Sequence, residues 1–256
     1  MEKNNHQNPE KQCLFVRMES FQKIEKDNAF KNTDPIIVVK IVFRNIKKFR
    51  PALDKPHDRE LANILVNASK NILSKIKAKY CHVGVSDITL IIVNNNSDNL
   101  EYAGRKQRIV SAVSSTMGAY VSYMLPLKKD VEELYERNIF PIFDVSVFSI
   151  PCKREAGNVI LWSERENYKS IVDNVFNHYS ETIKADQLPL PEKIKRLKEE
   201  YNFDVHEMDK SILYGSYFKR IKQRQPEDDV YVNTIIEQNV IFTNTNISDR
   251  NKWIFK

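Results

Sequence analysis

Glycine is scarce in this 256-residue chain: only Gly84, Gly104, Gly118, Gly157 and Gly215 occur, no two closer than fourteen positions. Neither a G-x-G-x-x-G turn nor a Walker loop can therefore be written anywhere in it. A nucleotide, if bound, must be held by something other than a glycine loop. Cysteine is scarce too. Cys13, Cys81 and Cys152 stand far apart, form no C-x-x-C and have no histidine pair at ligand spacing, which excludes a disulfide framework and a zinc site. His6, His57, His82, His178 and His206 make no i,i+4 pair and no G-x-S-x-G elbow exists, so metallo- and serine-hydrolase readings fall away. No apolar run approaches the roughly 18 residues that cross a bilayer, and residues 1–12 are polar, of mixed charge and without an h-region. A soluble cytoplasmic protein without membrane contact is expected.

What is present suits a folded domain. A composition of 41% hydrophobic and 29% charged residues builds a core. Forty Lys and Arg against 34 Asp and Glu give a net charge of +6, which favours polyanions, although a mixed-charge surface kept for solubility gives the same balance. The β-branched run IIVVKIVF predicts a buried central strand over 36–43. Leu61, Leu65, Ala68, Ile72 and Ile76 share one face of a helix predicted over 58–79. A second buried strand over 88–93 follows a strand end or hairpin turn at 83–87, and the run 94–99 reads as a loop. A helix over 104–125, with Ala112, Ser115 and Ala119 suited to close packing on a sheet, leads to a strand over 139–150. This order predicts an α/β (α+β) fold with a palm-like, ferredoxin-type sheet and helices on one face. The expected division is a polar tail over 1–13, a palm-like domain over 14–155, and a C-terminal part over 156–256 packed on the palm. That last part comprises a helix over 158–180, a linker at 188–191, a basic helix over 192–201 and strand-like stretches at 214–220 and 229–241.

Six short segments resemble, in order, the motifs of the tRNA(His) guanylyltransferases and their tRNA-repair relatives. Residues 37–58, IVVKIVFRNIKKFRPALDKPHD, are similar to V-R-I-D-G-R-x-F followed by K-P-N-D. VGVSDITLI at 83–91 resembles G-Y-x-Q-S-D-E-I-S-L, and GRKQRIVS at 104–111 resembles R-R-x-S-K-x-x-S. PIFDVSV at 141–147 is similar to F-D-x-R-V, LWSERENYKS at 161–170 to W-R-Q-x-D-x-x-R-N, and ILYGSYFK at 212–219 to K-R-G-T-Y-F. The resemblance implies a Mg²⁺-dependent nucleotidyltransferase that adds nucleotides to a tRNA 5′ end in the 3′-to-5′ direction. It also implies a homo- or hetero-oligomer, for which small residues over 111–121 and the apolar stretch 230–242 offer surface.

The resemblance assigns Asp87 as metal ligand and catalytic carboxylate, and a turn-forming aspartate before a strand is the alternative. The family's other metal-binding positions have changed. Val42 stands where it has aspartate, Phe43 where a glycine carbonyl approaches the metal, and Ile88 where it has glutamate. The phenylalanine is expected to obstruct that approach, and Asp54, Asp58 and Asp144 are the carboxylates near enough in sequence to substitute. Triphosphate binding of GTP or ATP is implied for Lys55 and Asp58, the latter alternatively a helix N-cap, and for Arg105, Lys106, Arg108 and Ser111 at a helix start, alternatively a solvated basic face. Among RNA-side positions, Ser146, Ser163, Glu164, Glu166, Lys169 and Ser170 depart from the pattern. Basic patches remain: Lys193, Lys195, Arg196 and Lys198, then Lys219, Arg220, Lys222 and Arg224 beside Tyr217 and Phe218, suited to phosphate contact and base stacking. Two functions are expected from this set: a tRNA 5′-end nucleotidyltransferase with an eroded metal site, or a non-catalytic nucleotide- and RNA-binding subunit beside an active paralogue.

Overall fold

The computed structural model describes residues 13–24, 30, 34–94, 101–127, 129–180, 182–224, 231–238 and 241–255. Residues 1–12 of the tail expected over 1–13 and the loop residues 95–99 lie outside that set. The first helix, α1 (Leu14–Ile24), precedes strand β1 (Ile36–Phe43), and a short α2 (Ile46–Phe49) leads to α3 (Arg59–Lys75). The hairpin β2 (Tyr80–Val83) and β3 (Asp87–Val93) follows, then α4 (Lys106–Met124), α5 (Lys129–Glu136) and β4 (Phe143–Ile150). Beyond them come α6 (Lys153–Tyr179), α7 (Leu190–Tyr201), α8 (Lys210–Leu213), β5 (Ser216–Arg224), β6 (Tyr231–Glu237) and α9 (Ile247–Phe255).

The sheet is antiparallel throughout, in the order β4-β1-β3-β2-β5-β6. Its first four strands with α3 and α4 make the expected ferredoxin-type palm. Strand β1 lies between β4 and β3 and is buried on both faces, which explains its almost unbroken apolar run. Ile37, Val39, Ile41 and Phe43 point into the core beneath α3 and α4, whereas Ile36 and Val38 point to the opposite face. There α6 lies across the sheet, packing Ala156, Val159, Ile160 and Trp162 against Phe148 and Ile150, with Ile254 of α9 alongside. Both faces are thus covered, the second by α1, with Met18 buried there, and by chain that follows the palm. Helix α4 meets the core through Ile109, Val113, Met117 and Val121, not through the small residues: Ser115 and Ala119 are exposed. Helices α1, α5 and α9 have no counterpart among the expected elements, being short and rich in charged or polar residues.

A polar cluster is sealed beneath β5. The His82 ring packs against Tyr217 at 5.0 Å between centroids, and Nε2 lies 2.8 Å from the Tyr214 carbonyl oxygen. Gly215 makes this fit possible, since it adopts φ +86° and a Cβ there would stand 2.5 Å from His82 Nε2. Burial depresses the His82 pKa to about 4, against smaller upward pulls from the Tyr214 carbonyl and Glu164. An unfolded histidine takes its proton near pH 6.5, so the stability linked to neutral His82 is complete above that value and is lost as pH falls toward the folded value. Urea unfolding should show the wild type losing roughly 1–2 kcal/mol between about pH 6.5 and pH 5 that His82→Gln does not lose. Equal pH slopes for the two proteins would refute this account.

Candidate nucleotide and metal site

The register at the end of β1 sets the geometry. Val42 pairs with Asp87 on β3 and, on its other side, with Asp144 on β4. Side chains directly opposite in an antiparallel ladder share a face, so Val42 stands between two carboxylates and is itself 38% exposed. Two residues earlier on the same face, Lys40 is buried, its ammonium 4.0 Å from Asp87 Oδ2 and 3.6 Å from the centre of the Trp162 ring. Asp87 is 7% exposed and its Oδ2 accepts no hydrogen bond among the described residues. Burial pushes the Asp87 pKa up, and Lys40 pulls it back. Asp144 is held by Arg44, just past the strand.

The turn that presents Asp87 is clamped from α6. Gly84 N donates to the Asp87 carbonyl at 2.8 Å and Val85 N to Asn167 Oδ1 at 2.8 Å, while Asn167 Nδ2 donates to the carbonyls of Ile212 and Leu213 at 3.0 and 3.1 Å. A Cβ at Gly84 would come within 2.7 Å of Asn167 Oδ1 and 2.9 Å of Asp87 Oδ1. Asn167 is a positioning residue that the sequence motifs did not single out. Its one signal is an asparagine inside a long helix, where that side chain is disfavoured unless it finds partners elsewhere.

These residues do not fit the family's pair of magnesium ions. Mg²⁺ takes about six oxygens at ~2.0–2.1 Å, and no group of three potential ligand side chains occurs among the described residues. Ile88 and Phe43 belong to the core on the other face of the sheet. The Phe43 side chain therefore does not obstruct the Asp87 side, contrary to the expectation from sequence, but fills space between Phe49 and Phe143, ring centroids 5.5 and 4.7 Å away. Of the possible substitutes, Asp144 is engaged by Arg44, and Asp58 caps α3, accepting from Leu61 N at 2.8 Å and Asp54 N at 2.9 Å.

A cleft of about 220 Å³ opens beside this end of the sheet. Arg50, Lys55 and His57 line one side, Val85 lies at the turn, and Asn174 and His178 of α6 also border it. Lys55 is exposed, whereas Asp58 is buried and shapes the loop from within through its cap bonds. Asn174 Oδ1 is buried without a hydrogen-bond partner among the described residues. Burial lowers the His57 pKa, opposed by Asp58. The cleft can offer cations to phosphates and an amide to a base edge.

The other basic candidates are not gathered here. Helix α4 begins after β3 has run to its far end, where Val93 pairs with Ile36 and Phe30 N donates to Gly104 O at 2.9 Å. Arg105, Arg108 and Ser111 are exposed there, and Lys106 is buried over the Phe30 ring. None of the four lines the cleft that Lys55 borders. The structure also removes residues from the RNA set. Lys193 is buried against Asp173, and Lys219 is buried with Nζ donating to the Trp253 carbonyl at 2.7 Å. Arg220 donates to the carbonyls of Ala78 and Lys77, and Tyr217 and Phe218 are core residues with no face for a base. Lys195, Arg196 and Lys198 face Glu199, Glu192 and Asp204, and Lys222 is exposed. The Arg224 side chain lies outside what is described. Glu164, at a position where the family motif has glutamine, is buried and accepts from Phe242 N and Thr243 N, each at 2.6 Å, and from the Tyr217 hydroxyl.

A β4-β1-β3-β2 sheet with two helices on one face and a cleft beside its central strand defines a palm-type α/β protein. A family model described as tRNAHis guanylyltransferase (Thg1) matches residues 16–151, and the chain belongs to that family. Among solved structures it is similar to a bacterial tRNA(His) guanylyltransferase (Thg1)-like protein in complex with ATP, with TM-score 0.70, 16% identity, and coverage of 95% of this chain and 99% of that one. A bacterial protein of the same description in complex with GTP gives TM-score 0.65 at 15% identity over 95% and 99% of the two chains. The tRNA(His) guanylyltransferase of Saccharomyces cerevisiae gives 0.58 at 15% over 89% and 96%. Likeness at such identities establishes the fold. A search of curated proteins returns no match. No helix among the described residues is long and apolar enough to cross a membrane.

Because Asp58 satisfies one backbone donor in the first turn of α3 and another in the loop before it, Asp58→Ala should lower stability by about 1–2 kcal/mol in urea unfolding, with Asp58→Asn recovering most of it. An alanine variant as stable as wild type would mean that the cap contributes nothing.

Proposed function

We propose that this chain binds a nucleoside triphosphate, GTP or ATP, together with the 5′ end of a tRNA, and that its ability to join them in the 3′-to-5′ direction is impaired. The observation that carries the reading is the register of Val42 between Asp87 and Asp144. At that place the family pattern has aspartate. Two-metal phosphoryl transfer rests on carboxylates that bring two dications to within about 4 Å of each other. An isopropyl group supplies no ligand, and Asp87 alone leaves most of that charge uncompensated. Binding does not depend on those ligands. Lys55 and Arg50 beside the cleft supply charge-assisted donors, and Asn174 supplies an unpaired acceptor. Family membership and the ATP- and GTP-bound relatives support a nucleotide as the occupant and tRNA as the second ligand. Arg105 and Arg108, with Lys195, Arg196 and Lys222, then serve the RNA backbone and not the cleft.

The neutral pairing of Lys40 with Asp87 favours a sharper form of the reading, a non-catalytic subunit that works in an oligomer beside an active paralogue. Tyr123 and Leu127, 78% and 73% exposed near the end of α4, offer apolar surface for such a contact.

Calorimetry should find ATP or GTP bound to the wild type, with affinity reduced ~10–100-fold in Lys55→Ala, since a charge-assisted contact contributes about 1.5–3 kcal/mol. Arg105→Ala/Arg108→Ala should leave nucleotide affinity unchanged and weaken tRNA binding, with a shallower salt dependence. Absence of nucleotide binding to the wild type would sink the binding claim. Given 5′-triphosphorylated tRNA, Mg²⁺ and GTP, the wild type should incorporate label very slowly or not at all. Robust incorporation abolished by Asp87→Ala would overturn the impairment.

A further inference from the structure

In the family pattern, the position of Lys40 is an arginine beside two aspartates, an arrangement of net negative charge that draws dications. Here one ammonium meets one buried carboxylate, and the pair is neutral. Lys40 sits on an interior strand of the sheet and is 8% exposed. The centre of the Trp162 ring lies 3.6 Å from the ammonium, and the negative face of the ring stabilises the cation alongside Asp87. A dication at bonding distance from Asp87 Oδ2 would face that ammonium, since only 4.0 Å separates Nζ from the oxygen. Asp144, across Val42, is likewise occupied by Arg44. Each carboxylate beside Val42 thus has a cationic partner drawn from β1 or the residue just after it.

We propose that the Lys40 ammonium, held between the Asp87 carboxylate and the Trp162 ring, is a tethered counter-ion that takes the charge-compensating place of a divalent cation, so that this chain binds its nucleotide without one. The second half of this statement rests on reading the cleft as a nucleotide site. The first half stands on the geometry of the pair alone.

Mn²⁺ titration followed by electron paramagnetic resonance, together with thermal unfolding, tests the pair in the wild type, Lys40→Met, Asp87→Asn and the double variant. The wild type should bind no more Mn²⁺ than Asp87→Asn does. Lys40→Met should melt at lower temperature, regain part of the loss when Mn²⁺ is added, and show a bound-Mn²⁺ signal that the double variant lacks. Stoichiometric Mn²⁺ binding by the wild type that disappears in Asp87→Asn would overturn the proposal, as would a folded Lys40→Met that gains no Mn²⁺ dependence. If Lys40→Met does not fold, the comparison of wild type with Asp87→Asn decides. Separately, ATP should bind the wild type in excess chelator within about threefold of its affinity with Mg²⁺, and a loss of tenfold or more on chelation would overturn the cation-free claim. No ATP binding in either buffer would overturn the nucleotide reading and the second half of the proposal with it, leaving the Mn²⁺ comparison to judge the first.

Discussion

Strand β1 is hydrogen-bonded along its length to a neighbour on each side, and both neighbours run antiparallel to it. In such a ladder a slip of one residue would carry every side chain to the opposite face, and here both faces are buried. The register is therefore locked from two directions by the packing of Ile37, Val39 and Ile41 on one side and Ile36 and Val38 on the other. Everything at the open end inherits that lock. Val42 cannot avoid Asp87 and Asp144, Lys40 cannot avoid the space beneath Trp162, and a single change of residue type at position 42 alters the electrostatics of three strands together.

Helix α6 performs the second organising task by burying polar groups that each hold a distant segment. Glu164 receives the backbone of 242–243, Asn167 fastens the β2–β3 turn to α8, and Asp173 receives Lys193 from α7. Buried polar groups left without partners are costly, so these bonds specify where the later chain must lie. The same demand explains why the basic patches of the C-terminal part are weaker than their composition suggests. Several of the lysines and arginines there are consumed by structure or answered by a carboxylate one helical turn away.

The palm was legible in the sequence because its signals are local: the β-branched run of β1, the period of apolar residues in α3, the motif ahead of β3. The change at Val42 was legible too, since a missing carboxylate shows in one letter. The setting of Lys40 was not, because it depends on Trp162, more than a hundred positions away, arriving over the same face. Lys193 and Lys219 carried the opposite error: a charged letter reads as surface until a fold supplies Asp173 or the Trp253 carbonyl. Phe43 was read as an obstruction and Ile88 as a lost ligand at the metal site, although simple alternation along their strands sends both side chains to the other face.

The two helix starts that carry unlike clusters of cations, α3 with Lys55 before it and α4 with Arg105 and Arg108, lie at opposite ends of one sheet. Of these three cations only Lys55 borders the cleft, so a ligand confined to the cleft leaves Arg105 and Arg108 free for something that lies across the domain.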